Sequence, residues 1–549
     1  MVRKLTAVAL FVGALILMPA AQAADGDGTM TVLPTSVVAG SSGNNLTFTY
    51  TAAGTMTDGE VDLTVPTGWT VPQNTNPAGA GFVTASPGTL SIAGQMIMVS
   101  GLTLSGGDTV TIGYASASVP ITTETDVFTA QEKDTLGGTP MPLASSPSVT
   151  ITPAALADFV VAASGGGAIG TQTAGQSFGI QVTARDVYGN VKTDFAGSVD
   201  VSANKTCSAG CGTVSGFSAG ILTQNVTLTQ AGSGATVTVT RSGGSESGTS
   251  NAFNVVPGTA DHLTLTGSTA DLAAGSSRTL TAEIDDAFGN KVDSTASVTF
   301  SQTGGTGTVS GLGSVSASGG VAAKEVTGAK AGPVTIQASS SGVAGATLSF
   351  QVVPGASDHL TLTGSTADLA AGSSRTLTAE IDDAFGNKVD STASVTFAKT
   401  GGVGTVTGLG SSSASGGTAS RQVVGDKWGA ITIRASSSGV TSAPIAFRVV
   451  PGAAKRLVFI VLTGKLKLGK SALLAIEIRD ASGNRVPSPA RSVKFAKASG
   501  AGRVAGLGKV RSEAGVAWVL IDALKAGQIK VKATVAGLTA ATVKFKIVK

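Results

Sequence analysis

The chain has few of the residues on which most reactions and most helices depend. Of its 549 residues only two are histidine and two are cysteine, aromatic residues make up 4%, and charged residues make up 13%. His262 and His359 occupy equivalent positions in a duplicated segment, and no nucleophile motif places a serine beside either of them. Helix-forming Glu, Lys, Leu and Gln are scarce. We therefore expect a protein that is not an enzyme, needs no cofactor and has little helix.

Glycine, serine, threonine, valine and alanine dominate instead. Glycine alone contributes 75 positions, and hydrophobic residues make up 42% of the chain, enough to bury real cores. This composition is typical of short strands joined by many turns. The length suits several domains of about 100–150 residues each.

The first 23 residues have the pattern of a signal peptide. Arg3 and Lys4 precede an apolar run at 5–17, and Ala-Gln-Ala at 21–23 is a small-residue cleavage site. The run is too short to cross a membrane, and no other stretch is long enough to span one. We expect a secreted protein that is extracellular or associated with the cell surface.

The two cysteines lie close together. Cys207 and Cys211 occur in CSAGC, and in an exported chain this pair favours a disulfide that closes a five-residue loop. A disulfide that closes such a loop stabilises the folded state by about 2 kcal/mol. Free thiols and a two-cysteine metal site remain as alternatives, although no histidine or third cysteine lies nearby in the sequence.

An Asp-x-x-Gly-Asn element recurs four times, at spacings of 100, 97 and 97 residues, and residues 261–300 are identical to 358–397. Each copy follows a strand with alternating apolar residues, such as Leu377, Ala379 and Ile381, the pattern of a strand with one buried face. The twelve residues of the element are Asp186, Gly189 and Asn190; Asp286, Gly289 and Asn290; Asp383, Gly386 and Asn387; and Asp480, Gly483 and Asn484.

These landmarks predict five domains. An N-terminal β-sandwich domain of unknown type covers 24–152, and Ig-like repeats 1 to 4 cover 153–257, 258–354, 355–451 and 452–549. Turn signals every 8–12 residues favour sandwiches of about seven strands each. The expected fold class is all-β, with tandem Ig-like β-sandwich domains arranged as an elongated rod.

The repeats resemble the bacterial Ig-like (Big-1-like) domains of the invasin/intimin group. The resemblance rests on AGSSRTLTAEIDDAFGNKVDSTASVTF, then GTVSGLG, then GGVAAKEVTGAKAGPVTIQA, and it covers residues 154–549. It implies exported, surface-associated stalks that hold an adhesive or anchoring module away from the cell.

The Asp-x-x-Gly-Asn element has two interpretations. It is a tight turn, in which the aspartate bonds back to the backbone and Gly-Asn tolerates positive φ, or it is a Ca²⁺ site confined to repeats 2 and 3, where Asp285 and Asp293 add carboxylates. The turn is favoured, because Asp285 is replaced by Arg185 in repeat 1 and by Arg479 in repeat 4.

Charge is distributed unevenly along the chain. Residues 24–152 hold ten acidic residues and one lysine, whereas residues 452–549 hold 19 basic and four acidic residues. The basic residues of repeat 4 do not interrupt its alternation of inward apolar residues. They are therefore expected to lie on an outer face of the sandwich. That face either is simply solvated or binds an acidic polymer, and nucleic acid is not expected because aromatic residues for stacking are nearly absent there. The candidate binding residues are Lys530, Lys532, Lys544, Lys546 and Lys549.

Together these patterns predict a secreted or cell-surface adhesin-like stalk without catalytic activity. Its basic last repeat would hold it to an anionic envelope polymer, and its partner would be a polymer or receptor of the cell envelope or of a host surface. A structural envelope or matrix component, or a polysaccharide-binding accessory protein, is the alternative. No membrane span is expected, and the chain is expected to be monomeric.

Overall fold

The computed structural model describes residues 24–460 and 464–549, and the predicted signal peptide lies outside this range. The described residues form strands, turns and loops, and none of them belongs to a helix that is long and apolar enough to cross a membrane. The chain divides into two compact units, Met1–Thr259 with Asp286–Asn290, and Ala260–Asp285 with Lys291–Lys549.

The first unit begins with twelve strands around one core. Three sheets, ordered β1-β3-β8-β5, β11-β10-β4-β7-β6 and β2-β12-β9, enclose a core that includes Phe48, Tyr50, Trp69 and Phe128. The strands are β1 (Thr29–Leu33), β2 (Ser36–Val38), β3 (Asn44–Thr51), β4 (Met56–Thr64), β5 (Phe82–Ser86), β6 (Thr89–Ala93), β7 (Met96–Leu104), β8 (Thr109–Ala117), β9 (Thr125–Val127), β10 (Thr129–Lys133), β11 (Met141–Pro142) and β12 (Ser148–Thr152).

A second core of the first unit lies within residues 159–255. Its sheets are ordered β13-β15-β19-β17, β14-β23-β20 and β18-β16-β21-β22. The strands are β13 (Leu156–Ala163), β14 (Gln172–Thr173), β15 (Ser177–Asp186), β16 (Val199–Ala203), β17 (Cys207–Ala209), β18 (Gly212–Val214), β19 (Ile221–Leu228), β20 (Gly232–Ala235), β21 (Val237–Arg241), β22 (Ser247–Thr249) and β23 (Phe253–Val256).

The second unit contains three cores, within residues 263–352, 360–449 and 457–547. Around the first of them the strands join into one sheet, ordered β28-β30-β26-β24-β32-β31-β27-β29, with β25 also paired to β32. These strands are β24 (Ala260–Thr266), β25 (Leu272–Ala273), β26 (Ser277–Asp286), β27 (Ser297–Gly304), β28 (Val309–Ser310), β29 (Gly313–Ser316), β30 (Val321–Gly328), β31 (Gly332–Ser340) and β32 (Val343–Val353).

The next core lies between two sheets, ordered β33-β35-β39-β37 and β34-β42-β40-β36-β38, with β41 also paired to β40. The strands are β33 (Ser357–Thr363), β34 (Leu369–Ala370), β35 (Ser374–Asp383), β36 (Ser394–Gly401), β37 (Val406–Thr407), β38 (Gly410–Ser413), β39 (Thr418–Gly425), β40 (Gly429–Ser437), β41 (Val440–Thr441) and β42 (Ile445–Val450).

The last core lies between the sheets β43-β45-β49-β47 and β44-β51-β50-β46-β48. The strands are β43 (Arg456–Phe459), β44 (Lys465–Lys467), β45 (Ser471–Arg479), β46 (Ser492–Ser499), β47 (Arg503–Ala505), β48 (Lys509–Arg511), β49 (Val516–Lys525), β50 (Gly527–Thr534) and β51 (Ala541–Val548).

The predicted all-β fold class and the predicted inward residues are confirmed. Leu377, Ala379 and Ile381 are buried on β35, and Phe447 is buried on β42. A fully buried side chain of the size of leucine or phenylalanine contributes about 1.5–3 kcal/mol to the stability of the fold. The residues that stabilise each core are therefore those that the period-two pattern places on the inward face.

The expectation of about seven strands per sandwich was too low. The described residues form nine to twelve strands around each core. The additional ones are short edge segments such as Leu369–Ala370, which pairs in parallel with the closing strand β42. Two or three residues are too few to display an alternation, so these strands leave no periodic signal in the sequence.

Candidate anion-binding face and the Asp-x-x-Gly-Asn turns

One sheet of repeat 4 carries lysines on its outer face. Phe545 and Ile547 on β51, and Ile529 and Val531 on β50, are buried against the core. Because side chains alternate between the two faces of a strand, the residues between them point outward. Lys532, Lys544, Lys546 and Lys549 are exposed, and Lys530 is half-buried.

The strand register sets these lysines opposite one another. Lys530 pairs with Lys544, and in the same sheet Lys465 pairs with Lys546 and Lys494 with Lys509. Like charges directly opposite each other destabilise a sheet. The ion pairs in the described part of this repeat join Glu477 to nearby arginines, so they do not neutralise the lysines. The outer face therefore holds uncompensated positive charge on all five strands of this sheet, β44, β51, β50, β46 and β48.

The fold itself does not require this charge. In repeat 3 the position of the Lys530–Lys544 pair is held by Thr432 opposite Ala446. In the preceding repeat the same position is held by Thr335 opposite Ser349. Small neutral residues thus fit the same site on the same kind of sheet.

A cavity of about 660 Å³ in the second unit is lined by charged side chains of both signs, Lys427, Arg448, Arg479 and Arg485 together with Asp368 and Glu477. Glu477 pairs with Arg479 and lies 3.9 Å from Arg485. Trp428 contributes an indole ring that is 55% exposed. We did not predict this cavity from the sequence. The sequence does distinguish one of its lining residues, because Trp428 stands in a turn where the other repeats have alanine.

The turn of repeat 3 is organised by the carboxylate of Asp383. Its Oδ1 accepts the backbone N–H groups of Phe385 (2.8 Å) and Asn387 (2.9 Å). Its Oδ2 accepts the N–H of Gly355 (2.8 Å) and a side-chain N–H of Asn387 (2.9 Å). Gly386 has φ of 76°, which a residue with a Cβ rarely adopts. The aspartate therefore joins the turn to Gly355, the first residue of the repeat.

The other three copies repeat this arrangement. The N–H groups of Ala154, Gly258 and Gly452 bond to Asp186, Asp286 and Asp480, respectively. Burial by itself would raise the pKa of Asp186, Asp286 and Asp383, but the hydrogen bonds to each carboxylate outweigh it and lower the pKa. These carboxylates are consequently held in their ionised form.

The asparagine of the turn bonds to a segment that precedes it by more than fifty residues. Asn387 Nδ2 donates to the carbonyl of Ala329 (2.7 Å), and Asn387 Oδ1 accepts the N–H of Ala331 (2.7 Å). The asparagines of the other three copies make the same two kinds of bond. The partners are Ile121 and Thr123 for Asn190, Thr229 and Ala231 for Asn290, and Asp426 and Trp428 for Asn484. The element is thus a turn that also holds an earlier hairpin or loop, which the sequence did not indicate.

The carboxylates considered for Ca²⁺ do not converge. Asp382 and Asp383 are neighbours on a strand, and Asp382 Oδ2 accepts the hydroxyl of Thr361 (2.6 Å) instead. Both oxygens of Asp383 already accept two hydrogen bonds each, which fills the four lone-pair positions of a carboxylate. Among the described residues, the group that could hold a metal lies elsewhere, at Asp27, Glu132 and Asp134.

The remaining candidate residues occupy separate places. Cys207 and Cys211 are joined as a disulfide at the edge of the repeat 1 core. His262 and His359 lie near strand starts, each with Nδ1 3.2 Å from the carboxylate of the preceding aspartate.

Comparisons with known proteins found similarity at the level of structure. No family model and no curated protein matches the chain. Among solved structures, FdeC, an adhesin of Escherichia coli, is 21% identical with a TM-score of 0.32, over 61% of this chain and 100% of that one. Invasin, a bacterial integrin-binding protein, is 18% identical with a TM-score of 0.29, over 71% of this chain and 79% of that one. Domains 1–6 of the surface layer protein SbsC are 15% identical with a TM-score of 0.19, over 95% of this chain and 67% of that one.

The D0-D1 domain of intimin is also among the solved structures to which the chain is similar, at 21% identity over 34% of this chain and 97% of that one, with a TM-score of 0.15.

Proposed function

We propose that the protein is a secreted or surface-associated, non-catalytic stalk of adhesin type, whose last repeat attaches to an anionic polymer of a cell envelope. It is built from the N-terminal domain, 24–152, and four repeats with boundaries at 153–257, 258–354, 355–451 and 452–549. The observation that supports attachment is the outer face of repeat 4, where Lys530 lies opposite Lys544 and Lys465 opposite Lys546.

The geometry of this face suits a polymer better than a small ion. Neighbouring strands lie about 4.8 Å apart, so lysines on adjacent strands present charges at a spacing that a polyanion can match over several of its units. One exposed ion pair contributes only about 0.2–1 kcal/mol. Useful affinity therefore requires several contacts at once, and the lysines on five adjacent strands provide them. Teichoic acid and lipopolysaccharide have the required chemistry of repeated phosphate or carboxylate groups.

Binding of this kind is sensitive to salt. The screening length falls from about 10 Å at 0.1 M to about 3 Å at 1 M ionic strength. We therefore expect the full chain to bind immobilised teichoic acid or lipopolysaccharide at the lower salt concentration and to be released at the higher one. Neutral dextran serves as the uncharged control and is expected to retain nothing.

The decisive variant carries the residues of repeat 3 at the same positions, Lys530→Thr with Lys544→Ala. Since Thr432 and Ala446 already occupy this pair in an equivalent sheet, the variant should fold, and it should bind the polyanion several-fold more weakly. The matched control, Lys291→Ser with Lys330→Ala, removes two exposed lysines of repeat 2. Equal weakening in both variants would show that only net charge matters, and no binding by the unmodified chain would mean that the face is merely solvated.

A further inference from the structure

The N-terminal domain contains a cluster of three carboxylates that none of the functions above uses; two of them are buried, and the third, Asp27, is exposed. Glu132 is 0% exposed and Asp134 is 4% exposed, although both are ionisable. Glu132 points into the core from β10, and Asp134 follows that strand. Asp27 comes from the segment just before β1, and ligand oxygens of the three residues all lie within 4.8 Å of one another. Two distant parts of the sequence thus bring three carboxylates to one place.

The hydrogen bonds present do not satisfy this cluster. Glu132 Oε1 accepts the N–H groups of Gly26 (2.5 Å) and Asp27 (2.9 Å), and Asp27 Oδ2 accepts the N–H of Ala24 (2.9 Å). Glu132 Oε2 and both carboxylate oxygens of Asp134 have no partner among the described residues, although all three are buried. A buried polar atom without a partner costs about 1–3 kcal/mol, and more when it is charged.

Within residues 24–460 and 464–549, no cationic side chain forms an ion pair with these three carboxylates. The lysine next to Glu132 in sequence, Lys133, points away from the cluster and pairs with Glu60 (3.3 Å). Alternation along β10 explains this, because successive side chains of a strand face opposite sides. The described ion pairs leave Asp27, Glu132 and Asp134 without a basic partner.

A tyrosine hydroxyl aimed at the same place is an independent sign of a missing ligand. Tyr50 is 0% exposed, and its hydroxyl has no partner within the described part of the chain. A Cβ at Gly28 would lie 2.3 Å from that hydroxyl, so the ring reaches the segment beside Asp27 only because residue 28 has no side chain. Burial and then the negative charges of Glu132, Asp134 and Asp27 raise the pKa of Tyr50, which agrees with this position.

The cluster is electrostatically strained when nothing is bound to it. Burial first, and then the charge of Asp134, raise the pKa of Glu132 to about 7. Burial and the charges of Asp27 and Asp25 also raise the pKa of Asp134. Buried carboxylates in this state either take up protons or bind a metal ion.

We propose that Asp27, Glu132 and Asp134, together with the Tyr50 hydroxyl, form a binding site for one hard divalent cation of the Ca²⁺ class. Ca²⁺ takes six to eight oxygen ligands. The free oxygens of Glu132 and Asp134, the second oxygen of Asp27 and the tyrosine hydroxyl supply up to five, and water completes the set. The site contains only oxygen donors, as Ca²⁺ prefers, and lacks the imidazole or thiolate that Zn²⁺ favours.

A bound cation would join the start of the domain to its far strand. The residues before β1 already contact Glu132 through Gly26 and Asp27, and the ion would add direct bonds between the two segments. Extracellular modules bind Ca²⁺ with dissociation constants of about 10⁻⁴–10⁻³ M, which suits the secreted location proposed above.

Equilibrium dialysis of the full chain against Ca²⁺ tests the site. We expect one ion per chain at about 1 mM Ca²⁺, and a loss of affinity of about tenfold or more in the variant Glu132→Gln with Asp134→Asn. The control variant Asp285→Asn removes a carboxylate that the sequence had suggested for Ca²⁺ in repeat 2, and it should bind as the unmodified chain does.

Thermal unfolding supplies a second measurement that does not depend on stoichiometry. Without Ca²⁺ the Glu132→Gln, Asp134→Asn variant should melt at a higher temperature than the unmodified chain at pH 7.5, because it lacks buried charge. With Ca²⁺ only the unmodified chain should gain stability, so the order reverses. Absence of Ca²⁺ binding up to about 10 mM, or binding that the double variant retains, would overturn the proposal.

Discussion

Asn387 allows the two roles of the Asp-x-x-Gly-Asn turn to be separated in one experiment. The side chain is 7% exposed and makes three hydrogen bonds, to the carbonyl of Ala329, to the N–H of Ala331 and to Asp383. The substitution Asn387→Ala removes all three. It leaves the backbone N–H of residue 387 bonded to Asp383, so the turn itself retains its main contacts.

The expected loss of local stability follows from the hydrogen bonds that the substitution removes. A hydrogen bond contributes about 0.5–1.5 kcal/mol net, and Ala329 and Ala331 are only half-buried, so water can partly replace the asparagine. We expect the substitution to cost about 1.5–3 kcal/mol locally. Since 1.4 kcal/mol is a factor of ten, the amide of Ala331 should exchange with solvent about 10–100 times faster.

Hydrogen exchange on the full chain, read at single-residue level, is the suitable assay. The amide of Phe385 serves as an internal reference, because it bonds to Asp383 and not to Asn387. The matched control variant is Lys388→Ala, which changes an exposed neighbour and should alter stability by no more than about 0.5 kcal/mol.

One result would refute the reasoning. If the substitution accelerates exchange at Phe385 and leaves Ala331 unchanged, the asparagine serves the turn alone. The bonds to the earlier hairpin would then contribute nothing measurable.

Two further predictions concern pH and redox conditions. Because the pKa of Asp383 is lowered in the folded protein, its stabilising contribution is complete above the unfolded value of about 3.9 and is lost as the pH falls below it. A calorimetric transition of repeat 3 that does not fall as the pH drops below about 3.9 would contradict this assignment. The pKa of Glu132 is raised to about 7, so without divalent cations the N-terminal domain should lose stability as the pH rises from 4.5 to 7. A calorimetric transition of this domain that stays constant or rises over that range would contradict the assignment of Glu132. Reduction of the Cys207–Cys211 disulfide should lower the unfolding free energy of repeat 1 by about 2 kcal/mol, measured by urea denaturation with and without dithiothreitol, and an unchanged midpoint would show that the small loop confers no stability.

The sequence by itself determined the fold class and the buried residues. Period-two alternation is a local property, so residues such as Leu377 and Phe447 could be assigned to the core without knowing which strands pair. The four turn elements also predicted the repeats, because a tight turn that needs positive φ is built on glycine wherever it occurs. The uneven charge was visible in the same way, since counting needs no geometry.

Only the tertiary structure decided which of these residues meet. Glu132 contacts Asp27 across 105 positions and Asn387 reaches Ala329 across 58, and no local pattern specifies such pairs. The opposition of Lys530 and Lys544 depends on strand register, because the hydrophobic alternation keeps both lysines on the outer face and the turn geometry then sets which residues lie opposite each other. Alternation determines which face of a strand a side chain occupies, whereas pairing across the sheet determines what lies beside it.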